Sequence, residues 1–480
     1  MNNEYKKIVI TNLFWKIMER GGYQGVVFFV QIILARLLSP ADFGNIAIIT
    51  VFVNLANVFV QSGFNIALIQ KKEIDDTDYS SVFFLSLSVA GAFIGLIYVF
   101  APSIASFYNQ SSLVDYLRVV SISLIFGAIN SIQIAVLSRE MKFRLLFFSS
   151  FGAACISGTM GIIIAYNGGG TWALVLQQIG NNLFSCLIMW FTVKWRPKLL
   201  FSYKKLRDLF SFGWKLLCSG LIDTLYRNLY NLIIGKMYDS DILGYYSKAD
   251  QFPQVIVSNI NGSIQSVMLP AFSRYQDNKK QIKSMMRRAV VTSSFFVFPL
   301  MVGLAACAEN LVIVLLTDKW LDCVPFMRIL CFSYALWPIH TANLQTLNAM
   351  GRSDIYLKLE IIKKIIGIIS IIVCIPFGVN ALVWALLVVG IISTAINAWP
   401  NKRLLNYSFS EQMKDIIPSF IISLLMGSLV YLISYLPIHP LFGLFIQIFI
   451  GVFIYIICAV VLKMECFNYV VNIMREMKKK

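Results

Sequence analysis

The feature that most constrains this chain is a series of long apolar segments along its whole length. A helix needs about 20 mostly apolar residues to cross a hydrocarbon core roughly 30 Å thick, because each residue adds about 1.5 Å. We predict an all-α polytopic membrane protein with about fourteen transmembrane helices, in two parallel six-helix lobes plus a two-helix appendage. The predicted spans are 12–37, 45–69, 80–104, 117–137, 145–166, 171–193, 210–236, 252–274, 289–316, 325–349, 357–377, 380–399, 415–436 and 441–462.

Composition excludes several other classes of protein. Of the 480 residues, 58% are hydrophobic and 14% are charged, whereas soluble domains carry about a quarter charged residues. The net charge of +17 therefore predicts no nucleic-acid partner, because the apolar excess points to a bilayer instead. Two histidines are too few for a His-rich metal site, and the nine cysteines contain no CxxC pair. We expect no metal.

The distribution of Lys and Arg between the loops predicts the orientation. An even number of spans places both termini on one side, and cytoplasmic loops carry the excess of basic residues. Most basic residues fall in loops on the N-terminal side, whereas the opposite loops hold only Arg36, Lys236, Lys248 and Lys319. We therefore expect a multi-pass protein of the cytoplasmic (inner) membrane with both termini in the cytoplasm.

The loops argue against an enzyme. None is long enough for an extramembrane catalytic domain, and the sequence contains no GxxxxGK[ST], HExxH or GxGxxG motif. A membrane-embedded polysaccharide polymerase would need catalytic groups on a substantial outer loop. The sequence predicts a transporter without a cofactor, and it leaves open whether H⁺ or Na⁺ is a coupling ion.

An internal repeat divides the chain into two lobes. The matched positions are Gly44 and Gly244, Gln61 and Asn261, and Asn65 and Gln265 at a spacing of 200 residues, and Asn130 and His340, and Gln133 and Asn343, at 210. Six spans in each copy make the repeats parallel, an arrangement of secondary transporters that bind substrate between the halves. The predicted domains are an N-lobe at 1–194, a basic linker at 195–209, a C-lobe at 210–402, a linker at 403–414, and two spans with a basic tail at 415–480.

Amide side chains form stripes in two of the spans. Asn54, Gln61 and Asn65 share one face of the second span, and Asn261 and Gln265 share one face of the eighth. An amide facing lipid would lack a partner at a cost of several kcal/mol. The stripes therefore contact another helix or line a polar cavity, and the sequence does not decide between the two.

Charged residues interrupt the first and seventh spans. They are Lys16, Glu19 and Arg20 on the first span, and Lys215, Asp223 and Arg227 on the seventh. Snorkelling to the interface is an alternative for Lys16 and Lys215, and an i,i+4 ion pair is an alternative for Asp223 and Arg227. Ionisable groups this deep are functional by default, and the surplus of cations predicts an anionic ligand such as a phosphate. Glu19 and Asp223 are candidates for ion coupling.

At this point the sequence resembles a known family. The run Ala35-Arg36-Leu37-Leu38-Ser39-Pro40-Ala41-Asp42-Phe43-Gly44, which follows a charged first helix, is similar to the start of the Wzx-type polysaccharide flippases. The segments 243–249 and 133–143 are similar to further parts of that family. These flippases, which include colanic acid and teichuronic acid exporters, belong to the multidrug/oligosaccharidyl-lipid/polysaccharide exporter superfamily.

The resemblance implies a function and a substrate site. Members move undecaprenyl-diphosphate-linked oligosaccharides to the outer leaflet by alternating access, through a cationic central cavity. The substrate-binding candidates are the cations Lys16, Arg20, Lys215 and Arg227 and the amides Asn54, Gln61, Asn65, Asn261 and Gln265. The expected partners are the lipid-linked oligosaccharide, the bilayer and other polysaccharide assembly proteins. The alternatives are a drug or peptidoglycan-precursor exporter of the same superfamily and, less favoured, the polymerase.

Overall fold

The computed structural model describes residues 3–61, 64–71, 73–275 and 278–467. For residues 3–10, 12, 13, 17, 20, 65, 66, 70, 208, 211, 212, 267, 269 and 270 it describes the backbone alone. These ranges contain helices and no strand, which confirms the all-α prediction. The helices are α1 Asn3–Leu37, α2 Pro40–Gln61, α3 Phe64–Gln70, α4 Asp76–Phe107, α5 Leu113–Ser121, α6 Ser123–Arg139, α7 Phe143–Tyr166, α8 Thr171–Thr192, α9 Tyr203–Met237, α10 Ser240–Ser273, α11 Lys279–Leu316, α12 Val324–Ala335, α13 Trp337–Ala349, α14 Ser353–Cys374, α15 Val379–Leu405, α16 Phe409–Leu432 and α17 Pro440–Val461.

Within the described ranges, nine helical segments are long and apolar enough to cross a membrane. They are α2, α4, α5 with α6, α7, α8, α11, α15, α16 with the 3₁₀ turn that follows it, and α17. The other five predicted spans coincide with α1, α9, α10, α12 with α13, and α14, which also form helices. The chain is therefore a multi-pass membrane protein, and the count of fourteen stays a prediction.

Several helices depart from the predicted spans. The span predicted at 45–69 corresponds to two helices, α2 and α3. Helix α10 begins at Ser240, twelve residues before the predicted start, so Lys248 lies inside a helix and the prediction that it belongs to a loop is wrong. The fourth and tenth spans are each divided, at Ile122 and at Leu336. Pro338 accounts for the second break, because it lacks the N–H that would continue the helical hydrogen bonds.

The chain packs into two compact units, residues 1–244 and 245–480. In the first unit α7 packs against both α1 and α8, and α9 packs against α2. In the second unit α11 packs against α12 and α16, and α14 packs against α15. The helix predicted to open the C-lobe, α9, thus lies in the first unit. The predicted domain bounds at 194 and 210 describe the sequence repeat and stay a prediction.

The basic linker after α8 is held against the start of α4. Lys198 and Lys205 form ion pairs with Asp76 and Asp75, respectively. The backbone N–H of Lys198 also donates to Ser80 Oγ at 3.1 Å. The hydrogen bond from Lys205 is the main cause that lowers the pKa of Asp75 to about 2. These contacts tie the beginning of α9 to α4.

The appended hairpin of α16 and α17 is an integral part of the second unit. At one end of α11, Arg287 pairs with Asp415 at 3.0 Å and with Glu465 at 3.1 Å. Towards the other end, Asn310 donates to Gln447 Oε1 at 3.0 Å. Because contacts lie near both ends of α11, the hairpin is fixed along the length of that helix.

The first turns of α2 and α10 contact each other reciprocally, inside the first unit. A Cβ atom at Gly44 would overlap the carbonyl oxygen of Ser240, and a Cβ atom at Gly244 would overlap that of Pro40. Both pairs, Pro40 with Ser240 and Gly44 with Gly244, are separated by the 200 residues of the sequence repeat. Equivalent positions of the two copies therefore meet, and glycine is required because the backbones touch.

Candidate functional site

The charged cluster on α1 lies beside α7. Lys16 Nζ pairs with Glu19 at 2.7 Å and lies 5.2 Å from the centre of the Phe143 ring. Lys16 is 21 residues, or about 31 Å, from the end of α1 at Leu37. This depth matches one edge of the hydrocarbon, as snorkelling would require. Arg20 lies in helical backbone one turn further along α1, and its side chain is outside the described residues.

The charged cluster on α9 is accessible. Arg227 Nε pairs with Asp223 at 2.8 Å, the i,i+4 ion pair that the spacing offered as an alternative, and their side chains are 69% and 50% exposed. Arg227 is ten residues, about 15 Å, from the end of α9 at Met237. This distance is half of the hydrocarbon thickness. Lys215 is also exposed. An accessible ion pair at this depth can exchange its internal partner for a phosphate, because neither charge is sealed by neighbouring helices.

The amides on α2 have different environments. Asn54 and Gln61 are exposed, whereas Asn57 faces α6, with its Oδ1 3.1 Å from where a Cβ atom of Gly127 would lie. Asn65 lies in α3, and its side chain is outside the described residues. Asn54 and Gln61 are not covered by a helix. Because lipid would leave them unpaired, their exposure favours contact with a polar cavity.

The amides on α10 also differ from one another. Gln265 is exposed, while Asn261 is 6% exposed. The Oδ1 atom of Asn261 has no hydrogen-bond partner among the described residues. Asn261 is thus sequestered in the helix packing, and Gln265 is the accessible member of the pair.

A third ion pair within the predicted spans was missed by the sequence reasoning. Lys363 pairs with Glu360 on α14 at 2.6 Å, and the two side chains are 13% and 27% exposed. Lys363 is ten residues, about 15 Å, from the start of α14. The sequence reasoning grouped Lys363 with the cytoplasmic basic residues, although the i,i+3 spacing to Glu360 was a signal for a pair.

The second unit contains a buried polar network that the sequence reasoning also missed. His340 Nδ1 accepts from Asn397 Nδ2 at 2.9 Å, and its Nε2 lies 3.3 Å from Thr394 Oγ1. One turn further along α13, Asn343 bonds to Asn401 at 2.8 Å and to Gln412 on α16 at 2.9 Å. The spacing of polar residues on α15 was a signal for it. This network links α13, α15 and α16.

The first unit contains the matching polar residues with fewer partners. Asn130 donates to the carbonyl of Asn182 at 3.0 Å, and Asn181 donates to the hydroxyl of Tyr23 at 3.3 Å. Gln133 is 1% exposed, and neither its nitrogen nor its oxygen has a partner among the described residues. Burying an amide without a hydrogen bond is energetically costly. Water or another polar group that bonded to Gln133 would therefore stabilise it.

The described residues contain no group of three or more His, Cys, Asp or Glu side chains that could hold a metal ion. The functional side chains on α1, α2 and α9 are cations, amides and the two ion-paired carboxylates Glu19 and Asp223. Guanidinium and ammonium groups bind phosphate, and amides exchange hydrogen bonds with hydroxyls. This combination suits an anionic, hydroxylated ligand.

Solved structures show the class of fold. The structure of the lipid II flippase MurJ in an inward closed conformation matches 95% of this chain and 98% of its own, with a TM-score of 0.74 and 19% identity. A multidrug resistance MATE family transporter in its inward-facing conformation matches 82% of this chain and 99% of its own, with a TM-score of 0.63 and 13% identity. The chain has the fold of the multidrug/oligosaccharidyl-lipid/polysaccharide exporter superfamily.

Sequence relatives narrow the class to a family. The model of the polysaccharide biosynthesis protein family matches residues 33–325, and the chain belongs to this family. The teichuronic acid biosynthesis protein TuaB of Bacillus subtilis is 25% identical over 79% of each chain. The lipopolysaccharide biosynthesis protein WzxC of Escherichia coli is 22% identical over 71% of this chain and 70% of its own. The predicted resemblance to Wzx-type flippases is confirmed.

Proposed function

We propose that this chain flips undecaprenyl-diphosphate-linked oligosaccharide repeat units from the cytoplasmic to the outer leaflet of the inner membrane. Both termini lie in the cytoplasm, and the chain catalyses no covalent chemistry. The observation that carries the proposal is the accessible Arg227–Asp223 pair about 15 Å inside α9, in a chain of the polysaccharide biosynthesis protein family.

The physical problem is to move a polar headgroup through hydrocarbon. Each hydroxyl that loses its hydrogen bonds costs several kcal/mol, and a diphosphate costs more because it is charged. In the proposed mechanism Arg20, Arg227, Lys16 and Lys215 attract the diphosphate, while the lipid tail stays in the bilayer. The exposed amides Asn54 and Gln61 replace water around the sugar hydroxyls. Alternating access then carries the headgroup from one side to the other.

Transport in proteoliposomes tests the substrate. The purified protein is reconstituted with a fluorescent undecaprenyl-diphosphate-linked oligosaccharide, and the fraction quenched by a membrane-impermeant reagent is followed with time. We expect translocation above that of protein-free vesicles. Parallel vesicles carry lipid II or a cationic drug. Movement of either of these, without movement of the oligosaccharide lipid, would replace the proposal by the peptidoglycan-precursor or drug exporter.

A further inference from the structure

A carboxyl that the sequence reasoning did not single out lies on α10 in the second unit. Asp250 is ten residues from the start of α10, and Tyr334 is ten residues from the start of α12, so each is about 15 Å along its helix. Tyr334 donates its hydroxyl hydrogen to Asp250 Oδ1 at 2.8 Å. The equal depth of the two residues on helices that begin on the same predicted side agrees with this contact.

Asp250 differs from the carboxyls that lie within the predicted spans. Glu19, Asp223 and Glu360 each pair with a Lys or Arg on the same helix, and Glu309 and Asp415 each pair with an Arg on another helix. Asp250 forms no ion pair within the described part of the chain; its described hydrogen bond is the one from Tyr334. An ion-paired carboxylate is stabilised as the anion. A partly buried carboxylate whose partner is neutral is instead favoured in its protonated form, because burial disfavours the charge.

The surroundings of Asp250 are compatible with protonation. Lys248, two residues before it on α10, bonds to Gln251 Oε1 at 3.1 Å, and side chains two residues apart do not share a helix face. On α12 the titratable group that contacts Asp250 is Tyr334, whose ring lies 4.5 Å from that of Trp337. Asp250 itself is partly accessible, so a proton can reach it from water.

We infer that Asp250, held by Tyr334, is the carboxyl that takes up and releases a proton in the transport cycle. This inference rests on the proposed function. Uptake converts the carboxylate to a neutral carboxyl, and release to water on the opposite side restores the anion. Tyr334 donates to the anion and accepts from the neutral form, so it holds the group in both states.

The first test does not need transport. Infrared spectra of the full-length protein in lipid, recorded across a pH series, should show a protonated-carboxyl band that titrates in the wild type. The band should be absent from Asp250→Asn and retained in Asp223→Asn, the matched ion-paired control. A shifted band in Tyr334→Phe identifies the same carboxyl in a variant that keeps it. An identical titrating band in the wild type and in Asp250→Asn overturns the inference.

The second test couples the site to transport in the proteoliposome assay. For one proton per cycle, each unit of pH difference should shift the steady-state leaflet ratio of the oligosaccharide lipid by up to about tenfold. Asp250→Asn should remove this dependence, while Asp250→Glu and Glu360→Gln, a change at an ion-paired carboxyl outside the proposed binding site, keep it. If the wild type moves no oligosaccharide lipid, the proposed function fails. If it moves the lipid and Asp250→Asn responds equally to the pH difference, or if only a Na⁺ gradient drives transport, the inference alone fails.

Discussion

The two copies of the repeat treat the same buried polar positions differently. On α13, His340 and Asn343 bond to side chains of α15 and α16. On α6, the equivalent Asn130 and Gln133 leave three side-chain polar atoms without a partner in the described part of the chain. One partner in the second unit, Gln412, comes from α16, which lies outside the repeat. The appended hairpin therefore completes a network that the first copy lacks.

This difference separates a polar core in which most groups are bonded from one in which fewer are. In the second unit, Asn397 Oδ1 and Asn401 Oδ1 lack a partner in the described part of the chain. A buried amide with all of its hydrogen bonds made fixes the helices that it joins. An amide with none depends on water, which stabilises buried polar groups when it has room to enter. At the matched positions, we therefore expect a polar-to-apolar substitution to lower stability more in the second unit than in the first.

The largest effect expected from this comparison is on stability at Asn343. Asn343→Leu leaves buried groups of Gln412 and Asn401 unpaired, at about 1–3 kcal/mol for each group. Gln133→Leu removes an amide that has no partner among the residues the structure describes, and it should change stability by less than about 1 kcal/mol. Thermal unfolding of both variants in detergent measures the difference. Equal losses would show that the first copy is as fully bonded as the second.

A smaller effect is expected where the two copies are equivalent. Gly44→Ala and Gly244→Ala should each destabilise by about 1–3 kcal/mol, because the added methyl overlaps a backbone carbonyl. The two losses should be similar. Gly91→Ala is the control, because nothing lies within 4 Å of its Cβ position, and a helical Gly-to-Ala change is otherwise favourable by up to about 1 kcal/mol. If only one of the two variants lost stability, the contacts of Gly44 and Gly244 would not be equivalent.

The smallest effect is expected at the cytoplasmic linker of the first unit. Asp75→Asn removes the partner of Lys205, and an exposed pair of this kind contributes little to stability. Protease cleavage at 195–202 should therefore increase only modestly at pH 7. Asp354→Asn, which breaks a comparable exposed pair in the second unit, should leave that cleavage unchanged.

The same linker contact has a defined pH dependence. The pKa of Asp75 is lowered from 3.8 to about 2, so its contribution is complete above about pH 5 and is lost as the pH falls through 2. The cleavage difference between wild type and Asp75→Asn should therefore be constant from about pH 5 to 7. If the cleavage difference between the two proteins shrinks as the pH falls from 7 to 5, then groups other than Asp75 hold the linker.

The sequence predicted most of the fold because apolar length is a local property. The sequence did not predict the helix breaks at Ile122 and Leu336 or the early start of α10. At these places the helix bounds depend on packing and not on the length of the apolar run. Local spacing also indicated the Asp223–Arg227 pair. The Asp250–Tyr334 contact joins residues 84 apart in sequence. The spacing of residues along one helix cannot predict such a long-range contact. The substrate-binding residues stay a prediction, because charge on a helix does not show what it binds.

The central claim is that mid-membrane cations carry an anionic lipid-linked sugar across the bilayer. The most direct measurement is the leaflet distribution of that lipid in cells depleted of this protein and supplied with variants. We expect wild type and Arg207→Ala, a basic residue near the start of α9, to restore outer-leaflet lipid. Arg20→Ala and Arg227→Ala should accumulate in the membrane but lower the flipping rate roughly tenfold to hundredfold, as loss of a charge-assisted hydrogen bond predicts, and Lys at either position should keep partial activity. Full restoration by both Ala variants would contradict the account.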